Sequence, residues 1–432
     1  MDRRADYRAW GWEALVQENG LVTLATVPAI GARVMEYGLG AHRSIYVNDA
    51  EAGKVYQPRV GAPWPNYGGY KVWPAPQASW GWPPPPILDA GVYEAQVVLV
   101  SPDSTTIRVS SPVEQWKTPG LRLERRLTMF RGASRVRVEQ TLVNESATPA
   151  RWSVWDVTQS VVNHPGLRDF ESFWVYFPLN PQSRYGARGV RVSAESKAWK
   201  GEVAPGVFGV QYMPEAKKIF ADSHLGWVCY VDEAEGYAYA KTFPVTADAE
   251  YPDDGAHVEV WLNNDPLLYL EVEVVSPIVE VAANGGRYTF TEDWWAARVC
   301  GPILSVNEAG AISRRLSVDL ETNRIVGTYG VFHVGVAQAV FVGGYGAVLG
   351  RGEPHGVTPL ESLELAQPVA VPRGTARVEV RLTDPQGRAI GVLDAVGVPA
   401  ATGVLGPAPG APSGLRLEPA SPNPFNSSAT IA

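Results

Sequence analysis

The stretch "HVEVWLNNDPLLYLEVEVV", residues 257–275, decides the fold class. It contains two runs in which polar and apolar residues alternate, and the short link "NNDP" separates them. Alternation with a period of two is typical of half-buried β-strands, because successive side chains point to opposite faces of a sheet. The link is short enough to predict an antiparallel hairpin, with Glu259 and Glu271 on adjacent strands.

Similar runs recur along the chain between turn signals, and they are rich in valine and aromatic residues. A long amphipathic helix is not evident between them. The pattern predicts an all-β protein of packed antiparallel sheets. The other clear runs are "VYEAQVVLV" from Val92, "RVRVEQTLV" from Arg135, "GYAYAKTF" from Gly236 and "RVEVRL" from Arg377.

Composition indicates a folded chain and limits its partners. Of the 432 residues, 45% are hydrophobic and 19% are charged, which is typical of globular proteins. The net charge is -8 and neither end carries a basic cluster, so we expect neither nucleic acid nor an anionic membrane surface as a partner. The start "MDRRADYRAW" has no apolar run of the signal-peptide kind, and the sequence has no apolar stretch long enough for membrane insertion.

Changes in strand density predict the domain organisation. Strand-like sequence is continuous over residues 7–298, which we expect to form one large domain, and "CGPIL" interrupts it. Residues 301–398 again resemble strands and predict a small β-sandwich-like domain. Residues 399–414 have the proline, glycine and alanine content of a linker.

The last segment, residues 415–432, reads "LRLEPASPNPFNSSATIA". Its "SPNPFN" resembles the beginning of the C-terminal sorting tails of proteins exported by the type IX system of Bacteroidetes-like bacteria, cut short. The other interpretation is a turn-rich terminus. If the resemblance holds, the protein is secreted or lies on the cell surface.

The stretch "NYGGYKVWPAPQASWGWPPPP", residues 66–86, combines tryptophans with six prolines. Proline removes backbone donors, so we expect neither an ordinary helix nor a central strand here. A stiff loop could present indole faces to a sugar ring and polar groups to its hydroxyls. The alternative is a plug whose tryptophans pack on the protein itself. The candidate sugar-binding residues of this loop are Asn66, Lys71, Trp73, Gln77, Trp80 and Trp82.

The alternating strands supply candidate acid/base groups. We expect Lys241 to face Glu259 and Glu271 in a concavity of the sheet, with Glu273 on the same face as Glu271. Such an arrangement would bind hydroxyls and perturb the pKa of a glutamate, as general acid/base catalysis requires. Carboxylates on an exposed sheet are also common as solvated surface groups.

A third candidate is "RWSVWDVTQ", residues 151–159, where Asp156 and Gln159 could bind a ligand. Alternation places Trp155 and Asp156 on opposite faces, so only one of these faces can line a pocket. His164 follows in a turn, where a lone histidine is usually structural or solvated.

Metal and cofactor motifs are absent from the sequence. The six histidines are scattered, so we expect no histidine-rich transition-metal site and no cofactor, while calcium bound through oxygen ligands stays open. Cys229 and Cys300 have neither zinc-like nor redox spacing. They fit two buried thiols or one disulfide.

Several segments together resemble the galactose mutarotase-like superfamily, and in particular its uncharacterised bacterial members. The resemblance covers roughly residues 7–298. It implies a large antiparallel β-supersandwich whose concave face binds sugars. The segments that carry it are "NGLVTLATVPAIGARVMEYG", "NYGGYKVWPAPQ", "AKTFP", "YPDDGAHVEVWLNN" and "YLEVEVVSPIVEVAANGGRYTFTEDWW".

The resemblance implies a histidine and a late-strand glutamate as acid and base. Glu271 matches that glutamate, with Glu273 as the fallback. The histidine is missing, because this chain has "RWSVWDVTQ" where the family places it, so Lys241 or Asp156 would have to replace it. Mutarotase or epimerase, lyase and hydrolase activities therefore stay open, beside a non-catalytic polysaccharide-binding protein and a structural surface protein.

Overall fold

Antiparallel strands form most of the chain in the computed structural model, which describes residues 1–164, 166 and 169–398. Every strand pairing in these residues is antiparallel, so the predicted all-β fold class is confirmed. The strands of the first three-quarters of the chain are β1 (Asp2–Arg4), β2 (Ala14–Glu18), β3 (Val22–Val27), β4 (Arg33–Leu39), β5 (His42–Arg43), β6 (Tyr70–Ala75), β7 (Glu94–Val100), β8 (Ser104–Ser110), β9 (Leu121–Phe130), β10 (Val136–Asn144), β11 (Ala150–Ser160), β12 (Phe173–Pro178), β13 (Val190–Val192), β14 (Trp199–Ala204), β15 (Val207–Gln211), β16 (Lys217–Ala221), β17 (Trp227–Asp232), β18 (Tyr237–Thr242), β19 (Val258–Leu262), β20 (Leu270–Val275), β21 (Val279–Val281) and β22 (Gly286–Arg298).

Helices are short and lie in the connections. Within the described residues the helical segments are α1 (Pro86–Ala90) and α2 (Pro252–Gly255), and in α2 Asp253 and Asp254 have positive φ angles. A proline at the first position of each fits a helix start, where the missing N–H would have no partner in any case. Turns of 3-10 helix occur at Tyr7–Ala9, Pro28–Ile30, Asp49–Glu51, Gln77–Ser79, Phe170–Ser172 and Gly186–Arg188.

Two large sheets pack face to face. The first has the order β1-β2-β3-β4-β6-β11-β20-β19-β16-β13, with β5 beside β4 and β21 beside β11. The second has the order β14-β15-β12-β17-β18-β22-β10-β9-β8-β7. Alternate residues of both sheets, among them Val154, Val272 and Trp294, fill one hydrophobic core between them. The other face of the first sheet therefore points away from the second sheet.

The proline-rich stretch contains a strand that we did not expect. Residues Tyr70–Ala75 form β6, which lies between β4 and β11 in the first sheet. The ladder with β4 is limited to Val34 and Tyr70, so β6 is effectively an edge strand where Pro74 lies. Pro74 still pairs in register with Val154 of β11, and its carbonyl accepts a hydrogen bond from Trp80 Nε1 at 2.7 Å. The prediction that no central strand passes through this stretch is wrong at Tyr70, which pairs with a strand on either side, whereas Pro74 pairs with β11 alone.

Strands after Arg298 form two smaller sheets. These are β23 (Ser305–Asn307), β24 (Gly310–Asp319), β25 (Arg324–Val331), β26 (Gly335–Gly343), β27 (Val348–Val357), β28 (Ser362–Pro368), β29 (Thr375–Thr383) and β30 (Ala389–Gly397). The sheet orders are β23-β24-β25-β28 and β27-β26-β29-β30. The predicted linker and sorting tail, residues 399–414 and 415–432, lie outside the described residues.

The structure also bears on the disulfide alternative and on membrane insertion. Both cysteines are free thiols, so the disulfide alternative is wrong, and the alternative of two buried thiols holds for Cys229 but not for the exposed Cys300. Within the part of the chain that the structure describes, no helix is long and apolar enough to cross a bilayer.

Candidate functional site

The register of five neighbouring strands brings charged side chains to the face of the first sheet that points away from the second. Val157 pairs with Lys71 on one side and with Glu273 on the other, and Gln159 pairs with Glu271. The hairpin of β19 and β20 forms as predicted and sets Glu259 opposite Glu273. We call this group of side chains the charged face; its members are Lys71, Gln159, Lys218, Glu259, Glu271 and Glu273.

Glu271 accepts hydrogen bonds from two side chains on the β11 side of its strand. Lys71 Nζ and Gln159 Nε2 each lie 3.0 Å from its Oε1, which gives one oxygen two donors. Among the described residues no donor bonds to its Oε2. Glu271 is 8% exposed, more than either of the other glutamates of the charged face. It is therefore the carboxylate of this face best placed to meet a ligand.

Lys71 is a buried cation between an acid and two indoles. Its Nζ lies 5.0 Å from the ring centre of Trp73 and 5.9 Å from that of Trp64. Burial lowers the pKa of Lys71, and the charge of Glu271 opposes this shift. The predicted ligand-binding lysine thus contacts Glu271 directly.

Lys218 joins the other two glutamates and was missed by the sequence analysis. Its Nζ lies 2.6 Å from Glu259 Oε2 and 2.8 Å from Glu273 Oε2. Trp155 Nε1 donates to the same Glu273 oxygen at 2.6 Å, and Lys218 lies 4.5 Å above the Trp155 ring. Alternation in "KKIF" places Lys218 and Phe220 on one face, which is the signal that could have identified it.

Burial dominates the titration of this acid pair. It raises the pKa of Glu273 to about 8 and raises that of Glu259, while Lys218 opposes both shifts. The two carboxylates in turn raise the pKa of Lys218 against the effect of its burial. Glu259 and Glu273 are almost fully buried, so they contact protein groups rather than solvent.

The tryptophans of the proline-rich stretch divide into a packed group and an exposed one. Trp73 is 3% exposed and Trp80 is 8% exposed, whereas Trp82 is 56% exposed. Trp73 makes edge contacts with Trp80 and Trp155, at 6.1 Å and 5.3 Å between ring centres. The plug interpretation fits Trp73 and Trp80, and the platform interpretation fits Trp82.

Trp64 lies between the exposed indole of Trp82 and Lys71, the lysine that contacts Glu271. Its ring centre lies 4.9 Å from that of Trp82, and its Nε1 donates to Asp89 Oδ2 at 2.9 Å. Asp89 also accepts from Trp73 Nε1 and pairs with Arg33, which fixes both indoles. Prolines and polar side chains beside Trp64 line a small hollow of about 40 Å³. This is far below the roughly 300–1,000 Å³ that is usual for small-ligand sites.

The two amides predicted for this loop differ in their surroundings. Asn66 is buried; its Nδ2 donates to Tyr269 OH at 3.2 Å and its Oδ1 accepts from the Gly68 N–H at 3.3 Å, so it stabilises a turn. Gln77 begins a 3-10 turn and is half-buried.

Lys241 and Asp156 do not lie on the charged face, so the expected grouping of Lys241 with Glu259 and Glu271 is wrong. Lys241 belongs to β18 of the second sheet, and its Nζ contacts Asp156 Oδ1 in the space between the sheets. Asp156 lies on the opposite face of β11 from Trp155 and Gln159, so its side chain points inward, toward the second sheet. Glu292 lies beside Asp156, and burial raises its pKa well above the usual value. We call Asp156, Lys241 and Glu292 the core cluster.

Comparison with known proteins bears on the fold. No family model and no curated protein matches the sequence. A TPR-domain containing protein from Parabacteroides distasonis matches with a TM-score of 0.50 and 13% identity, over 68% of this chain and 49% of that one. The match therefore spans about half the length of the Parabacteroides protein.

Solved structures similar to this chain include galactose mutarotase-like proteins. One from Clostridium acetobutylicum has a TM-score of 0.45 and 9% identity, over 67% of this chain and 97% of that one. A galactose mutarotase related enzyme from Lactobacillus acidophilus has a TM-score of 0.44 and 10% identity, over 66% and 98%. At such identities a likeness concerns the fold and leaves the activity of this chain open.

Proposed function

We propose that this chain binds a carbohydrate at the charged face, with Glu271 as the carboxylate that contacts it. The observation that carries the proposal is the state of Glu271: one oxygen is held by Lys71 and Gln159, and the other has no donor among the described residues. An oriented acceptor of this kind suits a sugar hydroxyl.

The exposed indole of Trp82 supplies the second element of recognition. Half of its surface is open to solvent, and it packs against Trp64, whose ring lies within 6 Å of Lys71 Nζ. The apolar face of a pyranose ring can stack on such an indole while its hydroxyls reach polar groups nearby. A chain of contacts thus runs from the exposed Trp82 through Trp64 and the buried Lys71 to Glu271.

Within this proposal Glu271 acts as a general base in a carbohydrate-active enzyme. A hydroxyl hydrogen-bonded to Oε2 would transfer its proton to the carboxylate. The Lys71 ammonium would then stabilise the negative charge left on the hydroxyl oxygen. Lys71 and Gln159, rather than Lys241 and Glu259, are the supporting groups in contact with Glu271. Isomerisation of a hemiacetal uses a base to take a hydroxyl proton, elimination uses one to take a carbon-bound proton, and hydrolysis uses one to take a proton from water. The products therefore identify the reaction class.

The test is a polysaccharide panel with matched variants. The full chain is incubated with plant, algal and bacterial polysaccharides and with free aldoses, and co-sedimentation, released ends and anomer exchange are followed. We expect Glu271→Gln to abolish turnover and Trp82→Ala to weaken binding by about tenfold, which corresponds to a loss of about 1.4 kcal/mol of binding free energy. Glu280→Gln and Tyr345→Ala, which alter an exposed acid and an exposed aromatic ring elsewhere, are expected to behave as the wild type.

Full turnover in Glu271→Gln on an identified substrate would refute the base assignment. Binding without turnover in the wild type would make the chain a non-catalytic binding protein.

A structural surface protein is the second candidate, and the burial of Trp73 and Trp80 favours it. In that case the loop packs on its own sheet and no panel member binds. The secreted or cell-surface location proposed from the "SPNPFN" tail is a separate proposal. Fractionation of the source organism tests it, and retention of the chain in the cytoplasm would contradict it.

A further inference from the structure

Three connections of the large sheets meet at a cluster of histidines and acids distinct from the charged face. His42 lies in β5, Asp232 ends β17, and Glu235 follows in the turn to β18. His164 comes from the connection after β11. His42 Nε2 lies 3.1 Å from Asp232 Oδ2, and His164 Nε2 lies 2.9 Å from the same oxygen.

Aromatic packing fixes both imidazoles. The His42 ring stacks on Tyr237 with 4.2 Å between ring centres and an angle of 11°. The His164 ring packs against Phe173 at 5.0 Å. His42 and Asp232 are buried, so these two ligand atoms are positioned before any ligand arrives.

The spacing of the ligand atoms matches a metal site. One ligand atom each from His42, Asp232 and Glu235 lie within 4.8 Å of one another, and His42 Nε2 is 3.9 Å from Glu235 Oε2. Zinc bonds to nitrogen and oxygen measure about 2.0–2.2 Å, which puts neighbouring tetrahedral ligands roughly 3.3 Å apart. Small side-chain rotations of Glu235 would complete the set.

We propose that His42, Asp232 and Glu235, together with His164, bind a divalent first-row transition metal of the zinc type. Imidazole and carboxylate ligands suit such an ion better than calcium or magnesium, which prefer oxygen ligands alone. The half-exposed Glu235 side chain gives the ion a route from solvent. The bound ion would join three connections that are distant in sequence and so stabilise the folded chain.

This site departs from the sequence analysis, which predicted no histidine-rich metal site because the histidines are scattered. Residues far apart in sequence meet here because β5 and the β17–β18 turn lie on different sheets that pack together. The proposal is independent of the carbohydrate site, since the two share no residue.

The experiment uses the full chain without a histidine tag, stripped with a chelator and dialysed against Zn²⁺, Ca²⁺ or Mg²⁺. We expect one Zn²⁺ per chain by elemental analysis and a melting temperature raised by roughly 5 °C at a hundredfold excess over Kd. Asp232→Asn and His42→Ala are expected to weaken Zn²⁺ binding at least about tenfold. His224→Ala, which removes an exposed histidine elsewhere, should bind as the wild type does.

Glu235→Gln keeps the test decisive if the buried variants fail to fold, because its side chain is half-exposed; we expect a loss of about tenfold. Absence of Zn²⁺ binding by the wild type would overturn the proposal. So would Zn²⁺ binding that persists unchanged in Glu235→Gln and Asp232→Asn, or equal affinity for Ca²⁺ and Zn²⁺.

Discussion

The charged face and the core cluster contain the same chemistry on opposite sides of one sheet. Strand β11 contributes Gln159 to the first and Asp156 to the second, and alternation alone separates them. In the core cluster both partners of the ion pair are fully buried, whereas Glu271 on the charged face retains some exposure. A lysine–carboxylate pair is therefore a stabilising element on one side of the sheet and a candidate ligand site on the other.

The largest expected effect comes from breaking the core cluster. Lys241→Met would leave Asp156 and Glu292 buried without a cation, and removing one partner of a buried pair costs about 3–5 kcal/mol. Chemical denaturation measures the free energy of unfolding. The control Arg388→Gln breaks an ion pair whose arginine is 79% exposed, and we expect it to cost less than about 1 kcal/mol. A loss below about 1 kcal/mol in Lys241→Met would show that the core cluster adds no net stability.

A smaller loss is expected when Lys218 is replaced on the charged face. Lys218→Met removes the cation shared by Glu259 and Glu273, but one of these acids can take up a proton because burial has raised its pKa to about 8. We expect a loss of about 2–3 kcal/mol at neutral pH by the same denaturation measurement. A loss equal to that of Lys241→Met would remove the distinction between the two clusters.

The pH dependence of stability sharpens the comparison further. The folded-state pKa of Glu273 is raised from 4.5 to about 8, so between these values the folded chain holds a proton that the unfolded chain has lost. Stability from this group is full below about pH 4.5 and falls as the pH rises toward 8, by at most about 1.4 kcal/mol per pH unit. Denaturation of the wild type and of Glu273→Gln across this range should show a flatter profile in the variant. Parallel profiles would contradict the shift.

The smallest stability effect is expected at Trp82. Because its ring is 56% exposed, Trp82→Ala should change the free energy of unfolding by less than about 0.5 kcal/mol. The buried Trp73 serves as the contrast, since Trp73→Ala should cost about 3–5 kcal/mol. Similar losses in the two variants would favour the plug interpretation for the whole loop.

Sequence periodicity predicted the strands and the face of Glu259, Glu271 and Glu273, because a period of two is a local property. It failed for Lys241, since closeness along the chain does not decide to which sheet a strand belongs. The pairing of β18 with β17 and β22 places Lys241 in the second sheet. That pairing depends on contacts between distant residues, which no single stretch encodes.

The sequence analysis also missed Lys218 and the strand β6, again because strand pairing depends on residues that are distant along the chain. Lys218 lies in a short run whose neighbour in the sheet, β19, follows some forty residues later, so its carboxylate partners were not evident. The strand β6 tolerates Pro74 because β4 has already diverged from it, which is a property of the sheet and not of the loop sequence.

The most direct test of the central claim compares carbohydrate binding by the wild type, Glu271→Gln and Glu280→Gln in one co-sedimentation series. The account predicts that the wild type and Glu280→Gln bind at least one polysaccharide or free sugar, and that Glu271→Gln alone loses turnover or affinity for it. Equal behaviour of all three chains, or no binding by any of them, would contradict a carbohydrate site at Glu271.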